Sequence, residues 1–309
     1  MKKYLMLMLA ATLFAACNDD DNSPKEEQEE TNFEEHDGYF VYYGETYQTV
    51  KLANGTTWMA EPLRYVPEGY TPSGDPTADS HIWYPYKLIV NEGNDTNKAD
   101  AIEVLTDEAS IKKLGYFYDT YAAFGSKKVT AENCYEFEGT QGICPKGWHI
   151  PTRMEFVALC GRSTWGVNDT DKYPTQLDVP TALFYDSKYD GAKLENYNEA
   201  GWNYVLSGAR IKSGFKATPA YQAAKLCSSN TNEATLAKYK AQPIMNYIMS
   251  STCFRPNYSS SDPNTMTNIQ FFAQMTTFTK NYPEGRITLS YQHYESGMQL
   301  RCVKDQAAN

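Results

Sequence analysis

Residues 144–152 read Cys-Pro-Lys-Gly-Trp-His-Ile-Pro-Thr, which places a thiol and an imidazole in one short stretch. Three chemistries use that pair: a thiolate nucleophile with its base, two ligands of a metal, or scaffolding in which the cysteine is bridged and the ring is packed. A thiol–imidazole dyad needs a free thiolate, and an exported chain keeps its cysteines oxidised unless they are protected. Zinc needs clustered ligands, yet His36, His81, His149 and His293 are scattered and no Cys-x-x-Cys pair occurs. His149, between Trp148 and Ile150, is expected as a buried imidazole bonded to backbone. No catalytic residue, metal or cofactor is therefore expected.

Export itself is read from the first residues. Lys2 and Lys3 precede an apolar run from Tyr4 to Ala16, and Cys17 follows. Thirteen residues fall short of the roughly 20 that a spanning helix requires, so 1–16 read as a signal peptide. Leu13-Phe14-Ala15-Ala16-Cys17 resembles a bacterial lipobox, which implies acylation of Cys17 and a lipid anchor. From Asn18 to Asp37 ten acids face one base, Lys25. Such a segment cannot bury enough apolar surface to offset its conformational entropy, so 17–37 are expected as an acidic disordered tether. Asp19-Asp20-Asp21 also resembles the acidic signal that sends some lipoproteins to the outer face of the outer membrane.

The formal charge of −10 becomes −12 without Lys2 and Lys3, and the tether carries −9 of it, leaving about −3 for residues 38–309. The acidity belongs to the leash, and no basic stripe supports a nucleic-acid partner. Seven cysteines less Cys17 leave Cys134, Cys144, Cys160, Cys227, Cys253 and Cys302. An even number in an exported chain favours disulfides, with fifteen connectivities open. Residues 38–309 suffice for one large domain with its own core.

The elements that would position these residues are mostly strands. Tyr39 to Val50 alternates aromatic and β-branched residues with polar ones, and Asn54-Gly55 predicts a hairpin that returns through Thr56-Thr57-Trp58-Met59. Thr152 and Glu155 form the T-x-x-E pattern of a capping box, so the main helix starts inside the opening stretch and carries Phe156, Leu159 and Cys160 on one face up to Gly161. A second short helix is expected near Glu233 to Lys240. Asn268 to Thr279 and Ile287 to Val303 read as strands around a turn at Pro283-Glu284-Gly285. The fold class is α+β, with antiparallel strands, one main helix and long loops.

Several segments together resemble the Fibrobacter succinogenes major paralogous domain family. TVKLANGTTWMAEPLRY (49–65) is similar to its opening strand pair, GYFYDTYAAF (115–124) to its next aromatic strand, and GICPKGWHIPTRMEFVAL (142–159) to its most recognisable motif. GAKL (191–194), Trp202, GFKATPAYQ (214–222), MSSTCF (249–254) and MQLRCVKD (298–305) follow in the family's order. Pro62 stands where asparagine is usual, Phe156 where tryptophan is usual, and 66–114 form a longer insertion than the family leads one to expect. The helix start also resembles that of formylglycine-generating enzymes and other C-type-lectin-like proteins, which implies a C-type-lectin-like fold and no activity.

The resemblance implies a Cys144–Cys302 disulfide that staples the last strand to the main helix. Calcium-dependent sugar sites of C-type lectins use Glu-Pro-Asn or Gln-Pro-Asp with Trp-Asn-Asp; Glu61-Pro62-Leu63, Gln242-Pro243-Ile244 and Trp202-Asn203-Tyr204 each lack the last oxygen-bearing residue. Aromatic residues make up 14% of the chain, with 25 tyrosines, and exposed aromatic faces stack on sugars and anchor interfaces. Trp58, Trp148 and Trp202 fall in family motifs and are expected in the core, whereas Trp83, Tyr84 and Tyr86 lie in the insertion and are the expected ligand-contacting patch. The expected function is a surface-anchored, non-catalytic binding or adhesion module for a glycan or extracellular protein. A structural subunit of a surface assembly such as a fimbrial tip is the alternative, and an enzyme of the formylglycine-generating type or of polysaccharide processing is the other.

Overall fold

The computed structural model describes residues 32–89, 101–130, 133–160, 185–186, 191–192, 198–205, 207–210, 245–254, 269–276 and 286–306. Cys17, Cys227, the helix expected near 233–240, the 214–222 segment and the turn at 283–285 lie outside them. Residues of the expected tether form a strand. Strand β1 (Phe33–His36) pairs antiparallel with β2 (Tyr39–Tyr42), and Asn32–Asn309 form one compact unit. The boundary expected at residue 37 is thereby corrected. Phe33 is the reason, because it packs edge-on against Phe40 and Tyr42 and gives an otherwise acidic strand an apolar anchor.

Two more hairpins follow. Strand β3 (Glu45–Lys51) pairs with β2 and with β4 (Thr57–Met59), in the register Val50 opposite Trp58. The Asn54-Gly55 turn closes as expected: Gly55 has φ +88°, and the Asn54 side chain accepts from the Thr56 backbone N–H at 3.1 Å.

The insertion has strands of its own. Strand β5 (Ile82–Trp83) is followed by β6 (Tyr86–Ile89), β7 (Ala101–Val104), helix α1 (Glu108–Leu114), β8 (Phe117–Tyr118) and helix α2 (Thr120–Ala123). β5 pairs with β8 and β6 with β7. Each helix begins at an aspartate whose carboxylate takes a backbone N–H: Asp107 from Ser110, and Asp119 from Ala122, both at 2.9 Å. Gly115 ends α1 at φ +70°, and an added Cβ there would stand 2.5 Å from Pro62. Pro62 is thus buried against the end of α1.

A 3₁₀ turn (Cys134–Phe137) leads to β9 (Trp148–His149) and helix α3 (Arg153–Cys160). The capping box forms in both directions: Glu155 N–H donates to Thr152 Oγ1 at 3.2 Å and Thr152 N–H donates to the Glu155 carboxylate at 2.7 Å. Then come β10 (Tyr185–Asp186), β11 (Gly191–Ala192), β12 (Met245–Phe254), β13 (Ile269–Thr276), β14 (Arg286–His293) and β15 (Val303–Lys304). The stretch expected as one strand over Ile287–Val303 is therefore two short ones separated by residues 294–302.

The six-stranded sheet has the order β1-β2-β3-β4-β15-β9, and the five-stranded sheet β10-β11-β14-β13-β12. All pairs of named strands are antiparallel, and the class is α+β. Strand β15 lies between β4 and β9, with Val303 opposite both Trp58 and His149. Cys144 and Cys302 are joined by a disulfide beside that strand.

Trp58, Trp148 and Trp202 are all buried, with Trp58 edge-on to Trp202 and Phe40 against Trp148. Arg301 is fully buried beneath Trp202 and donates to the Trp202 and Asn203 carbonyls, while burial brings its pKa down to about 10. Its guanidinium thereby ties the Trp202-Asn203 loop to the segment that leads into β15. Among the described residues, no helix is long and apolar enough to cross a membrane.

Candidate functional site

Two of the three aromatic residues expected at a ligand surface are core residues. Trp83 is buried: its indole N–H donates to the Ala78 carbonyl at 3.1 Å and the Arg210 guanidinium lies 4.3 Å from its ring centroid. Tyr86 is buried and donates its hydroxyl to the Ala209 carbonyl. The cause is the loop before β5, which folds over it: Ser73 N–H donates to Ile82 O and Tyr84 N–H to Ser73 O. Tyr84 alone of the three is partly exposed, edge-on to Tyr116 at 5.5 Å.

Two tyrosine pairs reach solvent in part: Tyr84 with Tyr116, and Tyr43 with Tyr65. Tyr43 is 45% exposed, the most exposed large apolar residue among those described. Its ring stacks on that of Tyr65 at 4.2 Å and 17°, and Tyr42 supports both from the core side at 4.8 and 5.0 Å. Tyr65 carries the backbone carbonyl that accepts the buried Tyr118 hydroxyl, and Tyr118 in turn packs edge-on to Tyr116.

Arg64 braces this surface from beneath, bonded to Glu61 at 2.6 Å and to the Thr46 carbonyl at 2.8 Å, with its guanidinium 4.3 Å from the Tyr47 ring centroid. Burial pushes the Tyr116 hydroxyl above its usual pKa, helped by Tyr84 and Glu45, so it remains a neutral donor at physiological pH.

The backbone under Tyr43 is unusual. Tyr42 pairs with Glu45, so Tyr43-Gly44 is a two-residue hairpin loop with φ +48° and +79°. Such a loop needs positive φ at both positions and favours Asn-Gly; a bulky L-residue there costs about 1–2 kcal/mol. Strain of this kind points to a residue kept for its side chain. Gly44 between aromatic alternations was the available sequence signal, but Tyr39 to Val50 reads more simply as one strand.

A second polar group sits on the insertion. His81, at φ +66°, shares a hydrogen bond between Nδ1 and Asp119 Oδ2 at 2.7 Å, while Asp119 N–H donates to the His81 carbonyl. The rings of Tyr121 and Tyr70 flank it at 4.7 and 6.1 Å, and the Tyr70 hydroxyl meets Ser126 Oγ at 2.6 Å. The hydrogen bond to Asp119 raises the His81 pKa despite partial burial, and the charges of Asp119, Asp79 and Glu295 add to it.

His149 is held by side chains rather than by backbone, which corrects the expectation. Nδ1 lies 2.5 Å from Asp305 and Nε2 lies 3.0 Å from Glu155. Only an imidazolium donates from both nitrogens to two carboxylates. Burial opposes that charge, but Glu155 and Asp305 outweigh it and the pKa is raised above 6.5.

The unfolded histidine titrates near 6.5, so this stabilisation is complete below that pH and is lost as pH rises through the higher folded value. The difference in unfolding free energy between the parent and His149→Gln is therefore expected to shrink from about pH 6 upward past the folded pKa. Urea titrations at several pH values measure it. A difference that grows with pH contradicts the assignment.

Among the described residues, no group of three or more His, Cys, Asp or Glu side chains is placed to hold a metal ion. The family model described as the Fibrobacter succinogenes major domain matches residues 50–304. No curated protein and no solved structure matches the chain.

Proposed function

We propose that this chain, which belongs to the Fibrobacter succinogenes major domain family, is a non-catalytic binding or adhesion module that contacts a glycan or an extracellular protein through the tyrosine surface of Tyr43, Tyr65, Tyr84 and Tyr116. The observation that carries the reading is the strained, exposed Tyr43 stacked on Tyr65. Flat phenol rings with neutral hydroxyls at their edges provide both the apolar face and the hydrogen bonds that sugar rings and protein interfaces use. The scaffold in this reading is C-type-lectin-like. The module is exported, acylated at Cys17, and held at the outer face of the outer membrane by the acidic leash.

The test is a glycan and matrix-protein array probed with the chain and with Tyr43→Asn. Asparagine suits the turn, so the hairpin is kept while the ring is removed. Loss of affinity of about tenfold or more is expected for a central aromatic contact. If Tyr43→Asn binds as tightly as the parent, this surface is not the site. If the parent binds nothing on the array but co-purifies stoichiometrically with another surface protein, it is a structural subunit of an assembly. A Cys17→Ala variant that still fractionates with outer membranes would remove the lipid anchor from the proposal.

A second reading, an enzyme of polysaccharide processing, draws on the His81–Asp119 pair, in which the carboxylate orients the ring as it does for a general base. New reducing ends released from a polysaccharide by the parent, and not by His81→Gln, would favour it.

A further inference from the structure

We propose that Cys134 and Cys253 form a second disulfide, which ties the 3₁₀ turn ahead of β9 to the long strand β12. Both cysteines stand outside the Cys144–Cys302 bridge, both are buried, and both belong to one core cluster. Their elements pack against one another, and the hydrogen bonds flanking them set the alignment. Gly139 N–H donates to Ser251 Oγ at 2.9 Å, and Thr252 Oγ1 donates to the Glu138 carboxylate at 2.6 Å. The two segments thus run in opposite directions, and one further step sets Phe137 beside Cys253. In a 3₁₀ turn, residues three apart eclipse each other. Cys134 therefore shares the face of Phe137, and both are buried. The cysteine on the strand and the cysteine on the turn thus enter the same core cluster from two elements that pack together.

Oxidation proceeds by exchange with a small-molecule disulfide, oxidised glutathione, while the chain folds and the thiols are still accessible. The Cys134 thiolate attacks one glutathione sulfur, forms a mixed disulfide and expels one glutathione thiolate. The Cys253 thiolate then attacks Cys134 Sγ, forms the Sγ–Sγ bond and expels the second glutathione. Two electrons pass from the cysteine pair to the glutathione disulfide, and the two thiol protons end on the two glutathiones.

The full chain, reduced and unfolded, is refolded in a glutathione redox buffer, blocked with N-ethylmaleimide without reduction and digested. A linked peptide containing Cys134 and Cys253 is expected by mass, alongside the Cys144–Cys302 peptide. Recovery of Cys134 or Cys253 as the alkylated residue, or linked to Cys160 or Cys227, overturns the proposal. The Cys134→Ala variant provides a second check: Cys253 is expected to become alkylated after unfolding without reductant, and a Cys253 that stays blocked counts against the pair. The melting temperature of Cys134→Ala/Cys253→Ala is expected about 5–10 °C below that of the oxidised parent. No change would mean that the bridge is absent.

Discussion

Replacing Gly142 by alanine is expected to cost about 4 kcal/mol of folding stability, through two separable terms. Gly142 has φ +54°, where an L-side chain costs about 1–2 kcal/mol before any contact is considered. An added Cβ would then stand 2.2 Å from the Ala123 carbonyl oxygen and 2.8 Å from Ile150 Cδ1. That carbonyl cannot retreat, because it accepts the Ile143 N–H at 2.9 Å at the end of α2. Gly147 is the control: φ +78°, with nothing within 4 Å of its added Cβ. Gly147→Ala is expected to lose only the conformational term, about 1–2 kcal/mol. Urea midpoints of the two variants measured together decide the matter, and equal losses would show that the close approach to α2 is relieved without cost.

Removing the Cys144–Cys302 bridge is expected to have a comparable effect, about 3–5 kcal/mol for the Cys144→Ala/Cys302→Ala double variant. The bridge joins positions 158 residues apart, so the unfolded chain loses much freedom when it is closed. It also lies where the structure depends on one contact, since Cys302 immediately precedes the strand that completes the six-stranded sheet. Both sulfurs are buried, and alanine keeps the site apolar. Thermal melts of the parent with and without reductant, beside the double variant, provide the check. A parent that melts with the double variant under oxidising conditions would show that the bridge contributes nothing.

The two expected losses concern the same joint, where the motif of residues 142–152 meets α2 on one side and the C-terminal strand on the other. The tyrosine surface is placed by the adjoining elements: Tyr43 by the β2–β3 turn, and Tyr65 by the chain leaving β4. This makes stability and binding separable in principle. Tyr43→Asn acts on a turn that asparagine accommodates, whereas Gly142→Ala acts on the joint beneath.

Local signals carried the elements whose cause is local. The Thr152–Glu155 capping box, the Asn54-Gly55 hairpin and the tryptophan core were legible because capping, turn conformation and burial of large apolar rings are each dictated within a few residues. Strand β1 was not, because one phenylalanine among acids has no weight until Phe40 and Tyr42 are folded beside it. Trp83 and Tyr86 were misplaced for a related reason: an insertion suggests a surface loop, yet here Arg210 lies over the Trp83 ring and Tyr86 packs on Phe117 and bonds Ala209, all from outside the insertion.

By itself the sequence determined the family, the α+β class, the Asn54-Gly55 turn and the start of α3, since these follow from residue type and short-range spacing. Tertiary structure alone decided which aromatic faces reach solvent, that His149 is clasped by Glu155 and Asp305, and that Cys134 and Cys253 belong to one core. These features depend on residues as far apart as His149 and Asp305, and only the closing of β15 between β4 and β9 brings such partners within reach.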